Sequence, residues 1–333
     1  MIISQTPLRM SFAGGGSDMA SYYRRHGGAV LSTAIDKFVF VNVNKKFDTG
    51  VRVAYSRTEE VASSADVQHP LVKATLAEVG ITGGVEITTI ADIPSAGTGL
   101  GSSSSFTVGL INALSAYKGK YRSSGDLGRL SCEIEIERCG APIGKQDQYA
   151  AAYGGFNLIE FKSDDSVVVS PVIMPRDRQK QLQDNLLMFY TGRTRSASEL
   201  LHKQDQALKA VSKDKAMQRM VELCYVMRDE LITGNIDFAG EALHEGWMLK
   251  KTLADGISDP TIDAWYDTAR DAGARGGKIL GAGAGGFLLM YAPRDRHADV
   301  RKALAGLRQI PFRFEPSGSR IVYYNPAVEL QVD

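Results

Sequence analysis

The chain has 333 residues, 44% of them hydrophobic, which is enough for one large domain or two ordinary ones. Its formal net charge of +1 argues against general binding to nucleic acid or to acidic membranes. The three cysteines, Cys132, Cys139 and Cys224, lack the spacing of a metal site and indicate reduced thiols. There is no apolar run long enough to cross a bilayer and no signal-peptide core, so we expect a cytoplasmic protein.

The N-terminal segment predicts a strand that carries Arg9 and runs into a glycine turn, Gly14 to Gly16, followed by Asp18. An arginine and an aspartate around such a turn fit a site for a polyol and a phosphate. They fit a surface hairpin with solvated charges equally well. Next we expect helices in residues 22–26 and 70–79, and strands in residues 29–47, 51–55 and 85–90.

A loop rich in glycine and serine follows the strand at residues 85–90. It contains Gly97, Gly99 and Gly101, and four serines then open a helix that is predicted from the apolar spacing of residues 106–114. Glycines let the backbone approach a ligand closely, and a helix N-terminus presents unpaired N–H groups and a positive dipole end. We therefore predict a phosphate site here rather than a turn with a serine cap.

Two familiar nucleotide motifs are excluded. The loop has no Lys-Ser or Lys-Thr after its glycines, so it is not a Walker A motif. The run Gly281–Gly286 matches the dinucleotide pattern by letter. However, it precedes an apolar strand, where that pattern requires a helix.

The segment 123–138 predicts a helix that holds a carboxylate on its apolar face. On a wheel of 100° per residue, Glu137 shares the stripe of Leu127, Leu130 and Ile134, whereas Glu135 points away. A carboxylate on a core-facing stripe needs a cation or a metal ion, unless it escapes to solvent at the helix end. The pattern favours the first interpretation.

A polar cluster at residues 145–148 leads into a helix of small residues that stops at Gly154. Asp147 beside Lys145 fits a general base, or a carboxylate that caps the helix. We place the domain boundary near residues 170–185, which gives an N-terminal domain of residues 1–175 and a C-terminal domain of residues 176–333.

The second half begins with a strand at residues 186–190. Arg193 and Arg195 follow it beside several threonine and serine hydroxyls, which fits a binding site for the substrate's phosphate or a basic surface turn. We then expect helices in residues 198–213, 215–233, 236–253, 261–272 and 296–307, and strands on both sides of Gly281–Gly286 and in residues 312–314 and 321–324.

Three separated segments resemble one family, the GHMP small-molecule kinases, named for galacto-, homoserine, mevalonate and phosphomevalonate kinases. They are residues 7–18, residues 99–103 and residues 281–286, and they occur in the family's order. The resemblance implies a two-domain α+β fold with the active cleft between the domains, and use of ATP and Mg²⁺. Residues 31–37, 144–155 and 190–198 further resemble the sugar kinases that act on D-glycero-D-manno-heptose 7-phosphate.

The resemblance also implies roles for individual residues. Asp147 would match the catalytic aspartate, and Arg9 the cation on the transferring phosphoryl group. Ser103 and Glu137 would match the ligands of Mg²⁺, and Asp18 a ligand of sugar hydroxyls. The ATP phosphates would be bound by Gly97, Gly99, Leu100, Gly101, Ser102, Ser103 and Ser104. The remaining candidates for acceptor binding are Gly15, Gly16, Lys145, Gln146, Thr191, Arg193, Arg195 and Gly283.

The expected reaction is phosphorylation of the anomeric hydroxyl of the heptose phosphate. One alternative is an anomeric kinase for a neutral sugar such as fucose or galactose, although Gly15 and Gly16 stand where galactokinases carry a Glu-His pair. The other is a catalytically inactive sugar sensor. We expect ATP and a sugar phosphate as the partners, without nucleic acid or membrane. The helix-rich second half has room for a homodimer face, although no motif marks one.

Overall fold

The computed structural model describes residues 1–94, 97–193, 197–209 and 211–326. The strands within these ranges are β1 (Ile2–Ala13), β2 (Gly28–Lys45), β3 (Val51–Ala54), β4 (Thr58–Val61), β5 (Val85–Ala91), β6 (Phe156–Phe161), β7 (Val167–Pro171), β8 (Leu186–Tyr190), β9 (Gly276–Ile279), β10 (Phe287–Tyr291), β11 (Arg308–Gln309) and β12 (Arg320–Tyr324). The α-helices are α1 (Ala20–His26), α2 (Pro70–Val79), α3 (Ser102–Tyr117), α4 (Ser124–Cys132), α5 (Gln146–Tyr153), α6 (Arg176–Asp184), α7 (Ala197–Leu208), α8 (Asp214–Thr233), α9 (Phe238–Lys251), α10 (Pro260–Asp271) and α11 (His297–Ala303).

The first sheet is built around the long strand β2. The described residues give it eight strands in the order β12-β1-β2-β5-β3-β4, and β6 pairs with both β2 and β7. The two ends of β2 pair with different strands, residues 39–45 with β5 and residues 28–33 with β6. Helix α3 packs on β1 and β2, so the N-terminus of α3 lies beside Arg9 of β1.

The second sheet has the order β11-β8-β10-β9, and its pairs are antiparallel. Every residue of β10 is buried, which explains its continuous apolar sequence. Helix α9 packs on β9 and also reaches β1 of the first sheet. One hydrophobic cluster contains residues of both sheets, so the two halves of the chain share a core.

The mixed α/β architecture agrees with the two-domain fold that the sequence predicts. The boundary at residues 175 and 176 stays a prediction, and β12, from the end of the chain, pairs with β1 in the first sheet. The strand expected at residues 312–314 is wrong, because this segment makes only one isolated bridge, between Phe314 and Ile35. Among the described residues, no helix is long and apolar enough to cross a membrane.

Candidate active site

The glycine-rich loop between β5 and α3 lines a cleft where the two halves of the chain meet. Gly99 and Gly101 both have φ of +75°, a left-handed conformation that favours glycine. The Arg9 N–H donates to the carbonyl of Leu100 over 3.1 Å, which fixes the loop against β1. The start of α3, residues 102–104, lines the same cleft, so the positive end of the helix dipole faces an anion there.

The second glycine-rich segment, between β9 and β10, packs on the first. A Cβ on Gly99 would lie 2.2 Å from the Leu280 carbonyl oxygen, and one on Gly286 would lie 2.4 Å from the Thr98 carbonyl oxygen. These glycines therefore allow close backbone contact between two loops that are far apart in the sequence. Gly283 faces Ile257 instead, where a Cβ would lie 2.6 Å from the carbonyl oxygen, and it does not line the cleft among the described residues.

Arg9 and Asp147 form an ion pair at the centre of the cleft. The Arg9 Nε donates to Oδ1 of Asp147 over 2.7 Å, and Nη2 donates to Oδ2 over 2.8 Å. The third nitrogen, Nη1, donates to the Gly99 carbonyl over 2.7 Å. Asp147 does not cap α5, because the N-cap residue is Lys145 and no side chain makes a capping bond. The arrangement holds a carboxylate beside the phosphate loop and open to the cleft.

Asp18 is buried and lies next to this pair. Its Oδ1 accepts hydrogen bonds from the Gly16 N–H at 2.9 Å and from Nε2 of Gln146 at 3.0 Å. Its Oδ2 accepts from the Gln146 N–H at 3.1 Å. Burial raises the pKa of Asp18, and the charge of Asp147 raises it further. With Gly15 and Gly16, these groups form a polar wall of the cleft suited to sugar hydroxyls, which excludes a solvated surface hairpin.

The carboxylate on the helix after α4 is Glu135, and the placement predicted for Glu137 is wrong. Glu137 is exposed, whereas Glu135 is 1% exposed and lines the cleft. The reason is that residues 133–138 form a π-helix, in which the Cys139 N–H bonds to the Ile134 carbonyl five residues back. Each residue then turns through less than the 100° of an α-helix, so the wheel misplaces the residues after Cys132.

Glu135 accepts hydrogen bonds from hydroxyl and amide groups. Its donors are Ser103 at 3.2 Å, Ser104 at 2.7 Å, Thr107 at 3.0 Å and Gln148 at 2.6 Å. Burial raises its pKa, and these hydrogen bonds oppose the rise. A buried carboxylate with no cationic partner among its described contacts fits a site that a metal ion completes.

The donor set suits Mg²⁺ in particular. Mg²⁺ in phosphoryl-transfer sites takes one or two carboxylates, and the substrate phosphates and water supply the other oxygens. Glu135 and the Ser103 hydroxyl would hold the ion beside the phosphate loop. Within the described residues there is no cluster of three acidic, histidine or cysteine side chains that could hold a metal ion.

Two of the basic residues predicted to bind the acceptor's phosphate, Lys145 and Arg193, do not line the cleft. The Lys145 ammonium lies 3.2 Å from a carboxylate oxygen of Asp165 and over the ring of Tyr23. Arg193 pairs with Asp259 at 2.8 Å, and neither cation lines the cleft among the described residues. Arg195 lies outside the described residues. Thr191 is buried and bonds to the Gly286 carbonyl at 3.0 Å, so it supports the second glycine-rich segment.

Sequence reasoning missed two buried lysines. Lys250 in the last turn of α9 lines the cleft, and Lys278 of β9 lies behind it, each 4% exposed. Burial, and then the charge of Arg9, lowers the pKa of Lys250 to about 8, and burial with the charge of Lys250 lowers the pKa of Lys278. Both lie in ordinary amphipathic or β sequence, where a lysine normally indicates a solvated face. Only the packing of α9 on β9 and β1, and the contact of Lys278 with Ser11 of β1, could have revealed them.

Family comparisons agree with this geometry. Residues 67–155 match the model of the GHMP kinase N-terminal domain, and residues 227–309 match that of the GHMP kinase C-terminal domain. The first match contains the phosphate loop, Glu135 and Asp147. The second contains Lys250 and the second glycine-rich segment. Together the two models cover about half of the chain, in the order that the family has.

Individual relatives extend the similarity over nearly the whole chain. D-glycero-alpha-D-manno-heptose 7-phosphate kinase of Campylobacter jejuni is 29% identical over 91% of this chain and 93% of its own length. The bifunctional fucokinase/GDP-fucose pyrophosphorylase of Arabidopsis thaliana is 26% identical over 90% of this chain, which spans only 31% of that protein. A solved structure of a D-glycero-D-manno-heptose 1-phosphate kinase from Bacteroides thetaiotaomicron superposes with a TM-score of 0.81, at 27% identity, over 98% of this chain and 100% of that one.

The family uses ATP, usually with Mg²⁺. The paired domain models, the shared fold and the complete constellation of Arg9, Asp147 and the phosphate loop lead to one conclusion. The chain belongs to the GHMP kinase family and is a sugar kinase, a phosphotransferase with an alcohol group as acceptor.

Proposed function

We propose that the enzyme uses ATP and Mg²⁺ to phosphorylate the anomeric hydroxyl of D-glycero-D-manno-heptose 7-phosphate. The products are the 1,7-bisphosphate and ADP, and the bisphosphate serves the synthesis of nucleotide-activated heptose for surface polysaccharide. The observation that supports the proposal is the Arg9–Asp147 pair, whose carboxylate lines the same cleft as the phosphate loop and the polar wall at Asp18 and Gln146. The similarity to the heptose 7-phosphate kinase of Campylobacter jejuni supports the choice of acceptor.

In the proposed reaction, different residues bind ATP, accept the proton and stabilise the charge. The loop of residues 97–101 and the start of α3 bind the ATP phosphates through backbone N–H groups. Asp147 accepts the proton of the acceptor hydroxyl. The hydroxyl oxygen then bonds to the γ-phosphorus of ATP, and the bond from that phosphorus to the β,γ-bridging oxygen breaks. The Arg9 guanidinium orients Asp147 and offsets charge on the phosphoryl oxygens. Glu135 and Ser103 would hold Mg²⁺, which when bound would neutralise further charge on the phosphates.

The acceptor's own phosphate needs a cation at the far end of the sugar. The names of the two heptose kinases place the phosphate at different carbons, C7 and C1. In this chain Lys145 and Arg193 are already engaged with Asp165 and Asp259. Arg195 remains our candidate for binding the phosphate on C7 of the acceptor.

The engagement of those two cations is also the observation that favours a second candidate, an anomeric kinase for a neutral sugar such as fucose or galactose. The similarity to the plant fucokinase supports this alternative. In that case the catalytic residues keep their roles, and only the contacts to the far end of the sugar differ.

The experiment is ADP release from Mg-ATP with a panel of acceptors. It contains D-glycero-D-manno-heptose 7-phosphate, mannose 6-phosphate, sedoheptulose 7-phosphate, fucose, galactose and mevalonate. We expect turnover with the heptose phosphate, and a higher KM for it in Arg195→Ala. Turnover with a neutral sugar alone would replace the first candidate by the second.

A further inference from the structure

Lys250 is a buried cation that faces the cleft without a carboxylate partner among the described residues. Its side chain leaves the last turn of α9, and its ammonium donates a hydrogen bond to the carbonyl of Gly281. That carbonyl is neutral, so the positive charge is not compensated there. A buried ammonium group is costly unless an opposite charge meets it, which points to an anionic ligand.

Two other basic side chains lie near Lys250. Arg9 and Lys250 line the cleft, and Lys278 lies behind Ser11, with its Nζ 3.5 Å from the Ser11 hydroxyl. The carboxylates that act on Lys250 electrostatically are Asp18 and Asp147. Asp147 is already engaged by Arg9, and Asp18 by Gln146 and the Gly16 N–H. Both of these carboxylates are thus engaged by other groups, which leaves the charge of Lys250 to be met by an anionic ligand.

The position of Lys250 shows which phosphate it can reach. Arg9 is bonded to the carbonyl of Gly99, and Lys250 to that of Gly281. These two glycines touch, since a Cβ on Gly99 would lie 3.2 Å from the Gly281 Cα. The two cations therefore both lie at the contact between the phosphate loop and the second glycine-rich segment. A ligand at Lys250 is close to Asp147, where the phosphoryl group moves, and not at the remote end of an acceptor.

We propose that Lys250 donates hydrogen bonds to the γ-phosphoryl oxygens of ATP and stays on them during transfer, opposite Arg9. This inference rests on the proposed use of ATP but not on the identity of the acceptor sugar. Lys250 forms and breaks no covalent bond. It offsets the charge of the three non-bridging oxygens while the acceptor oxygen bonds to phosphorus and ADP leaves.

The test compares a nucleotide that has a γ-phosphoryl group with one that lacks it. Dissociation constants for Mg-AMPPNP and Mg-ADP are measured by calorimetry on the wild type, Lys250→Met and Lys250→Arg. We expect Lys250→Met to weaken AMPPNP binding about tenfold to a hundredfold, because a charged hydrogen bond is lost. ADP affinity stays within about twofold, and Lys250→Arg recovers part of the AMPPNP affinity.

Lys251→Met is the matched control. Lys251 is the next residue of α9, but its ammonium is paired with Asp263 at 3.0 Å, away from the cleft. Both nucleotides are expected to bind this variant as they bind the wild type. Thermal unfolding of each variant identifies one that has lost its fold, and Lys250→Arg then provides the comparison.

Three results would overturn the inference. They are unchanged AMPPNP affinity in Lys250→Met, an equal loss for both nucleotides, and a rise only in the KM for a phosphorylated acceptor. The last would assign Lys250 to the acceptor's phosphate. Failure of the wild type to bind either nucleotide would contradict the proposed function itself. If the acceptor sugar were different from the one proposed, the effects of the Lys250 variants on AMPPNP and ADP affinity would be unchanged.

Discussion

Arg9 and Asp147 are joined by two parallel hydrogen bonds of 2.7 and 2.8 Å, although they lie in different elements, β1 and α5. The same guanidinium also bonds to the Gly99 carbonyl of the phosphate loop. One side chain therefore sets the distance between the carboxylate that we propose as the base for the acceptor hydroxyl and the loop that we propose binds ATP. Such positioning is most of what phosphoryl transfer requires from a protein.

Replacing Asp147 with Asn tests the catalytic end of this pair. The amide cannot take the proton of the acceptor hydroxyl, so we expect kcat to fall by about 10²–10⁴-fold. AMPPNP affinity, measured by calorimetry, should stay within a few-fold of the wild type. Asp165→Asn is the control, because Asp165 binds Lys145 outside the cleft. Near wild-type turnover in Asp147→Asn would remove this residue from the mechanism.

Two of the three glutamates of the π-helix, Glu135 and Glu137, provide a matched pair for the metal site. Glu135→Gln removes the buried carboxylate that we assign to Mg²⁺, so the half-saturating Mg²⁺ concentration should rise and kcat should fall at least about tenfold. Glu137→Gln changes an exposed residue and should leave both quantities unaltered. The measurement is a Mg²⁺ titration of ADP release. Equal effects of the two substitutions would exclude Glu135 as the specific ligand.

This pair of glutamates also marks a limit of reasoning from sequence. The phosphate loop was predictable, because glycines and serines between a strand and a helix carry a local geometric meaning. The choice between Glu135 and Glu137 was not, because the π-helix that decides it leaves no clear pattern in residues 133–138. A wheel of 100° per residue describes an α-helix, and this segment is wound differently.

A glycine beside the sugar-binding wall gives a prediction for acceptor affinity. A Cβ on Gly144 would lie 1.9 Å from Oδ2 of Asp18, which is buried and held by backbone N–H donors. Gly144→Ala should therefore displace Asp18, raise the acceptor KM at least about tenfold and leave AMPPNP affinity unchanged. Gly306→Ala is the control, since a Cβ there meets nothing within 4 Å. An unaltered acceptor KM in Gly144→Ala would separate Asp18 from sugar binding.

The pKa of Lys250 gives a prediction for pH dependence. Burial and the charge of Arg9 lower this pKa to about 8, and the other groups facing Lys250 are Asp18, Asp147 and Lys278. The ammonium is charged below a pH of about 8 and neutral above it, so kcat/KM for ATP should fall as pH rises through this value. In Lys250→Arg the fall should vanish, because the guanidinium stays charged. The same alkaline fall in both enzymes would assign it to another group.

The buried lysines of the site could not be predicted from the sequence, for a different reason. Arg9, Asp18 and Asp147 could be named because glycine-rich or polar runs surround them. Lys250 and Lys278 lie in ordinary segments, and they become buried where α9 packs on β9 and β1. Conversely, the sequence does not reveal a partner for Lys145 or Arg193. In the fold, each forms an ion pair with an aspartate that is distant in the sequence. Local pattern does not reveal which charges meet after folding.

The most direct test of the central claim is the position of the new phosphate ester. The product formed from D-glycero-D-manno-heptose 7-phosphate and Mg-ATP is examined by ³¹P NMR with correlation to protons. We predict a new phosphorus signal that correlates with the anomeric proton, with one ADP released for each ester formed. A correlation with any other sugar proton, or phosphoryl transfer to neutral sugars alone, would contradict the proposed reaction.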